Sequence, residues 1–381
     1  AADRADLPGL SGSGFEALSN PLPREHIPAL EPYKLAERDA SGRRLIQLDQ
    51  NENAAPPSPA AIEALRKSLA ELTRYPDGDA GTLRQAIAEA EGLPAAQIIC
   101  GAGSMELLGL IGQAYLRPGD EALMSRYGYL YFRSVTAANG ADVVLASESG
   151  FNSEVEALLA RVSPRTRILF LATPNNPTGS LLGRGELQRL RAGLREDVLL
   201  VLDGAYAEYV TAEDYDPGAS LVAAGSNTVM LRSFSKIHGL ASLRTGWGYF
   251  PAEIAAILNR IRHPNGVTGP SIAAASAAIR DRGHIAAVRS ANSALRGWFS
   301  DRLAALGLAP WPSHCNFMLL PFDSEATAAM VFQYLREEGI MLRPMAGYGL
   351  GHCLRITIGA REEMESLLQA LTVWRSREGA P

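Results

Sequence analysis

The sequence has 381 residues, 47% of them hydrophobic and 20% charged. Dividing that length by about 150 gives two to three domains, or one large domain with a smaller companion, and the ordinary apolar fraction excludes disorder, collagen and repeat architectures for the bulk of the chain. The balance of 36 basic against 41 acidic residues leaves a net charge of −5 without a basic patch, which argues against a nucleic-acid partner.

In chain order, residues 1–45 are rich in Pro, Gly and Ser and read as an extended N-terminal arm. The chain starts at Ala1, and no charged segment followed by an apolar one marks an intact signal peptide. A cytoplasmic protein is expected, with an exported mature form left open by that start. Residues 44–48 read as a short strand. Residues 59–72 read as an amphipathic helix opened by Ser58-Pro59, a capping residue followed by proline in the first turn. A helix over 82–90, a strand at 98–99 and an apolar helix over 105–115 follow. Strands are predicted at 122–125, 143–146, 167–172, 198–203, 229–231 and 247–250, each leading into a turn or helix. This alternation predicts an α/β domain over 46–270, with a mostly parallel sheet covered by helices on both faces. From 271 the pattern is helical through 306. Strands at 316–320, 341–343 and 354–358, with helices at 326–338 and 362–375, predict a smaller α+β domain over 271–381. The apolar runs are far too short to span a bilayer.

The cysteines are Cys100, Cys315 and Cys353, a sparse odd set that gives no disulfide framework and no paired metal site. The histidines are scattered outside any metal-binding spacing, and no metal is expected. Lysine is scarce: Lys34, Lys67 and Lys236 are the only ones, so chemistry that needs an amine has few candidates.

Five segments carry chemistry. The first is Ser233-Phe234-Ser235-Lys236, with Arg244 shortly after, just past a predicted strand. A lysine flanked by hydroxyls and a guanidinium suits a phosphorylated aldehyde: the amine forms a Schiff base while Ser233, Ser235 and Arg244 hold the phosphate. On its own the lysine also reads as a solvated side chain in a polar turn. Second, Asn175-Asn176-Pro177-Thr178-Gly179 is turn chemistry that puts an amide at the carboxyl end of a strand, where open α/β sheets bind ligands. Third, Asp203 ends the apolar run 199–202, and a carboxylate at a buried strand tip needs a partner. A pyridinium nitrogen is one such partner, and a helix cap is the alternative. Fourth, Gly101-Ala102-Gly103-Ser104-Met105 opens a helix and offers free N–H groups to an anion. Fifth, Arg355, between apolar strand residues, is a structural ion-pair member or a carboxylate clamp.

Taken together and in this order, these segments resemble the aspartate-aminotransferase-like, fold type I enzymes of class I/II that use pyridoxal 5'-phosphate. The resemblance covers about residues 45–375 and is nearest to the histidinol-phosphate aminotransferase branch, through Asn51-Glu52-Asn53, Arg74-Tyr75-Pro76-Asp77 and Leu354-Arg355-Ile356-Thr357. It implies that Lys236 is the Schiff-base lysine and proton shuttle, and that Asp203 pairs the pyridinium nitrogen. It implies further that Asn176 and Tyr206 bond the cofactor's phenolic oxygen and that Tyr129 stacks on its ring. Backbone groups of Gly103, Ser104 and Met105 would join Ser233, Ser235 and Arg244 at the phosphate. Tyr75 would reach the partner subunit's phosphate, which implies a homodimer with shared sites. Arg355, with Asn53 and Tyr129, would bind an amino-acid-like substrate, and an oxo acid would accept the amino group. Three segments differ from that branch: Ala54-Ala55-Pro56-Pro57 lacks an aromatic, Met105 stands where Asp is usual, and 262–268 replaces a Pro-aromatic-Asn run. The Ala54-Ala55 region and the 262–268 loop, with the arm and Tyr129, are expected to set specificity. The leading expectation is an aminotransferase acting on an amino acid or an amino-alcohol phosphate. The alternative keeps the cofactor but decarboxylates, eliminates, cyclises or oxidises. A non-catalytic binder on the same fold is disfavoured because Lys236 is present. A nicotinamide enzyme is disfavoured because the Gly101 turn lacks the full glycine spacing.

Overall fold

The computed structural model describes residues 22–30 and 45–378. Most of the predicted arm, Lys34 included, lies outside the described residues. Within it, 22–30 forms one 3-10 turn, Ile27–Ala29, beside which His26 Nε2 lies 3.1 Å from the Ala138 carbonyl oxygen.

The first strand, β1 (Ile46–Gln47), is followed by the helices α1 (Pro59–Ser68) and α2 (Gly81–Glu91). Strand β2 (Ile98–Gly101) leads into α3 (Ser104–Tyr115), β3 (Glu121–Ser125) into α4 (Leu130–Ala138), and β4 (Asp142–Ala146) into a small hairpin of β5 (Glu148–Ser149) and β6 (Asn152–Ser153). Then come α5 (Val155–Leu159), β7 (Thr166–Ala172), α6 (Arg184–Gly193), β8 (Leu199–Asp203), α7 (Ala219–Ala224), β9 (Thr228–Ser233), β10 (Gly246–Tyr249) and α8 (Ala252–Leu258). The C-terminal part holds α9 (Gly269–Arg280), α10 (Arg282–Ala305), β11 (Phe317–Pro321), α11 (Glu325–Glu337), β12 (Ile340–Met341), β13 (Arg343–Pro344), β14 (Cys353–Thr357) and α12 (Arg361–Glu378).

A seven-stranded sheet runs in the order β2-β10-β9-β8-β7-β3-β4. All its pairings are parallel except those of β10, which is antiparallel to both β2 and β9. Strands β3, β8 and β9 are buried at every residue, as the continuous apolar runs predicted for strands covered on both faces. Successive side chains alternate between the faces. Met124, Phe170 and Val201 meet α3, α4 and α8, where Phe132 stacks on Phe170 at 5.1 Å between centroids. Leu123, Leu169 and Leu202 meet α5 and α6 on the other face. Towards the β2 edge, Cys100 and Trp247 of that same face pack with α2 and α9. A smaller three-stranded antiparallel sheet, β11-β14-β13, packs through Met318, Leu354 and Ile356 on α10, α11 and α12.

Three elements differ from the sequence expectation. The helix expected to reach 72 ends at Ser68 and tightens into a 3-10 turn, Leu69–Glu71, where Leu69 and Leu72 are exposed and offer the helix no face to bury. The helical stretch after 271 is two helices, because the Asp281 side chain accepts from His284 N–H at 3.0 Å and caps a new start. The third is β1, assigned by sequence to the large domain. It pairs in parallel with β12 in the C-terminal part, Ile46 opposite Ile340. That pairing carries residues 48–52 along the smaller sheet, where Thr357 N–H donates to the Leu48 carbonyl.

Candidate active site

The carboxyl ends of the parallel strands β7, β8 and β9 open on one side of the large sheet, and β14 with its neighbour β13 faces them. Between lies a cleft of about 480 Å³. Ser104, Met105, Tyr129, Asn176, Asp203, Tyr206, Ser233, Ser235, Lys236, Arg244 and Arg355 all line it. Gly103 borders it as the N-cap of α3, at φ +86°. A Cβ there would lie 2.9 Å from Arg244 Nη2, so glycine lets the guanidinium close over the helix start.

At one end, Arg244 Nη1 donates to Ser235 Oγ at 3.3 Å and to the Ala241 carbonyl at 2.9 Å. The Ser235 N–H donates in turn to Ser233 Oγ at 3.1 Å. With the N-terminus of α3, these groups form a cationic, N–H-rich cradle suited to a phosphate. At the tip of β8, Ala205 N–H donates to Asp203 Oδ1 at 3.0 Å. Burial pushes the Asp203 carboxyl up to about 6, with Ala205 N–H and Lys236 pulling the other way. Lys236 Nζ donates to the carbonyls of Gln50 at 3.3 Å and Asn51 at 3.1 Å, and lies 5.6 Å from the Tyr206 ring centre. Burial, then Arg355, lowers its pKa to about 8, so its neutral nucleophilic form lies within reach of ordinary pH. From the opposite wall Arg355 Nη1 donates to Asn176 Oδ1 at 2.7 Å and Nη2 to the Asp49 carbonyl at 2.7 Å.

The donor set fits a phosphorylated pyridine aldehyde. A buried carboxylate held above its ordinary range calls for a cationic ring nitrogen, an amine of lowered pKa stands near it, and the phosphate cradle closes the other end.

Two of the residues named from sequence lie elsewhere. Asn53 is turned away, its Nδ2 donating to the Ile237 carbonyl at 2.8 Å, and it lines a separate cavity of about 440 Å³ beside α10. Tyr75 is 89% exposed and outside the chain's own cleft. Two of the segments expected to set specificity also lie outside this chain's own cleft. Ala54 and Ala55 line that second cavity, and the 262–268 loop packs at Gly78 through Arg262 Nη1 at 3.0 Å and Asn265 N–H at 3.2 Å. Between the cleft and that cavity the chain passes through Asn51, which is left-handed at φ +55°. Conversely, the cleft contains Asn51, Arg343 and Tyr348, which the sequence reading did not select. For Arg343 a signal was present: it is the polar residue that ends the predicted strand 341–343. In the structure it stands opposite Arg355 in the β13-β14 pairing.

Residues 43–371 match the model of the family "Aminotransferase class I and II". The chain belongs to that family; it is an aminotransferase, and its cofactor is pyridoxal 5'-phosphate. Among its relatives, the histidinol-phosphate aminotransferase of Paramagnetospirillum magneticum is 48% identical over 93% of this chain and 98% of its own length. The corresponding enzyme of Rhodospirillum rubrum is 46% identical over 94% and 98%. The crystal structure of histidinol-phosphate aminotransferase from Sinorhizobium meliloti in complex with pyridoxal-5'-phosphate superimposes with a TM-score of 0.87, at 28% identity, covering 96% of this chain and all of that one. These matches favour transamination over the other reactions considered from sequence. Among the described residues, no helix is long and apolar enough to cross a membrane, and no cluster of His, Cys, Asp and Glu could hold a metal ion.

Proposed function

We propose that this aminotransferase moves the amino group of an amino-alcohol phosphate of the histidinol phosphate class to a 2-oxo acid. The observation that carries the reading is the pair of guanidiniums, Arg343 and Arg355, cross-strand neighbours lining the cleft that also holds Lys236. Two cationic forks near one amine suit substrates with an anionic group at each end of a short chain, a phosphate in the donor and carboxylates in the acceptor. The identity of 46–48% with histidinol-phosphate aminotransferases over nearly the whole chain supports it.

When bound, the cofactor supplies an aldehyde for amines and a ring that stores the electrons released at the substrate α-carbon. The chain's residues act around it. Lys236 is the nucleophile and then moves the proton at the substrate α-carbon. Asp203 pairs the ring nitrogen and keeps it protonated. Asn176 and Tyr206 donate to the phenolic oxygen, and Tyr129 covers the ring face. Gly103, Ser104 and Met105 offer backbone N–H groups to the phosphate alongside Ser233, Ser235 and Arg244. Arg355 takes the acceptor's α-carboxylate. Exposed Tyr75 reaches the cofactor phosphate of a second copy, so the working unit is a homodimer. The large unit spans about 46–270 and the small one 271–381, with 46–52 attached to the small one. The three cysteines are free and buried, which suits a reducing cytoplasmic compartment.

The test is spectroscopic. Purified protein is loaded with pyridoxal 5'-phosphate, and histidinol phosphate, amino acids and 2-oxo acids are added singly. The visible band is expected to bleach with histidinol phosphate and return with a 2-oxo acid. Bleaching by amino acids but not by histidinol phosphate would overturn the substrate. A Lys236→Ala variant that kept the parent's band and turnover would overturn the site.

A further inference from the structure

We infer that Asn51, keyed by Thr357, is a positioning residue that holds the Tyr206 hydroxyl from behind and aims its proton into the cofactor cleft. The inference rests on the reading of Tyr206 as a donor to the cofactor's phenolic oxygen.

Asn51 is 1% exposed and left-handed at φ +55°, a conformation that asparagine tolerates better than most residues. Its backbone is anchored on both sides. The N–H donates to Thr357 Oγ1 at 3.0 Å, and the carbonyl accepts from Lys236 Nζ at 3.1 Å and from Asn316 Nδ2 at 3.2 Å. Its side chain bridges the two walls of the cleft. Nδ2 donates to the Tyr206 hydroxyl oxygen at 2.9 Å, while Oδ1 accepts from Thr357 Oγ1 at 3.4 Å.

The direction of this chain of bonds follows from counting protons. The Thr357 oxygen accepts the Asn51 N–H, and its single proton goes to Asn51 Oδ1. That fixes the amide with its NH2 group towards Tyr206. The Tyr206 oxygen therefore accepts from Asn51 and cannot donate back to an NH2 group. Its one proton turns into the cleft that the ring lines. Burial holds the phenol above its ordinary range, so it keeps that proton. A hydroxyl whose oxygen already accepts a bond is also a stronger donor. Thr357 lies two residues beyond Arg355 on β14, so the two share a face. One strand of the small sheet thus orients Tyr206 through Asn51, much as Arg355 engages Asn176 Oδ1 and leaves that amide's NH2 group for the cleft.

The experiment is a pH titration of the visible band of the cofactor-loaded protein. A donor to the ring oxygen stabilises negative charge there, which is greatest once the proton shared with the Lys236 nitrogen has gone. Losing the donor therefore raises the midpoint. Thr357→Val keeps the shape and removes the hydroxyl, and Asn51→Gly removes the amide while allowing the positive φ. Each is expected to raise the midpoint by about half to one pH unit, about 3- to 10-fold in the proton equilibrium. Tyr206→Phe moves it at least as far, and Thr357→Ser restores the parent value. In the Tyr206→Phe background, Thr357→Val adds nothing, because the relay acts only through that hydroxyl. Lys236, Arg355, Cys315 and Tyr348, which face the phenol, are unchanged in the relay variants. Thermal unfolding of each variant confirms that it is folded. If Tyr206→Phe moves the midpoint while Thr357→Val and Asn51→Gly leave it at the parent value, the relay is overturned and the reading of Tyr206 stands. An additive shift in the double variant also overturns the relay. If Tyr206→Phe itself moves nothing, the reading beneath the inference fails, and the inference with it.

Discussion

Replacing Asp203 by Asn should stabilise the cofactor-free protein and weaken the cofactor's hold. The carboxyl is 4% exposed at the tip of β8, and burial raises its pKa from the ordinary 3.8 to about 6. Between those values the unfolded chain has released the proton and the folded chain still binds it. Stability therefore falls as pH rises through that window, and the loss is complete above about 6. At about 1.4 kcal/mol per unit the loss is about 3 kcal/mol. Asp203→Asn keeps the shape and the acceptor for Ala205 N–H and removes the charge. Without cofactor it should gain about 3 kcal/mol at pH 7.5, about 4 °C in Tm for a chain of this length, and almost nothing below pH 4. With cofactor the sign reverses. On the role proposed for Asp203, the variant loses the charge that would pair the ring nitrogen, and cofactor affinity should fall about a hundredfold. Calorimetric scans at pH 4, 6 and 7.5, with and without pyridoxal 5'-phosphate, measure both effects. A lower Tm for cofactor-free Asp203→Asn at pH 7.5, or a gain of the same size at pH 4, would refute the reasoning.

Arg355→Ala removes the fork that grips Asn176 Oδ1 and the Asp49 carbonyl. In half-reaction kinetics, kcat/KM for the 2-oxo acid should fall about tenfold further than that for the amino-alcohol phosphate, which has no α-carboxylate. Arg355→Lys should not restore it, because an ammonium cannot span two acceptors in a fixed plane. Gly103→Ala puts a methyl 2.9 Å from Arg244 Nη2 at φ +86°, so the guanidinium must move; cofactor Kd, read by fluorescence quenching, should rise about tenfold or more. Below the site Glu208 bonds Arg232 at 2.7 Å, both side chains buried. Burial alone would raise the Glu208 carboxyl, but Arg232 and His238 outweigh it and hold it down to about 2. Its stabilising effect is present above the ordinary 4.5 and is lost as pH falls towards about 2. Glu208→Gln leaves Arg232 buried without that charge and should cost about 3 kcal/mol in denaturant unfolding at neutral pH, with the gap closing in acid.

The large sheet was legible because its strands other than the edge strand β4 are buried on both faces and read as short apolar runs, and a polar residue ending such a run marks the strand's carboxyl end. That pattern singles out Asp203 and the Asn176 turn, and both line the cleft. Lys236 stands out because lysine is scarce and this one sits among hydroxyls, and it too lines the cleft. The reversed direction of β10 was not legible, since its side chains are as buried as those of a parallel strand. Asn53 was chosen where Asn51 is the residue in the cleft. The two asparagines carry the same chemistry, and only the tertiary contacts show that Asn51 is the one that meets Tyr206.

Local periodicity and residue type suffice for the alternation of elements and for the class of cofactor. The tertiary structure decided everything that depends on two distant segments meeting. It brought β1 onto β12, set Arg343 opposite Arg355, and placed Thr357 against Asn51 across a separation of 306 residues. It also turned Ala54 and Ala55 out of the cleft. A hydrogen bond or a strand pairing forms wherever register and burial bring its two halves together, and neither half signals alone which partner it will find.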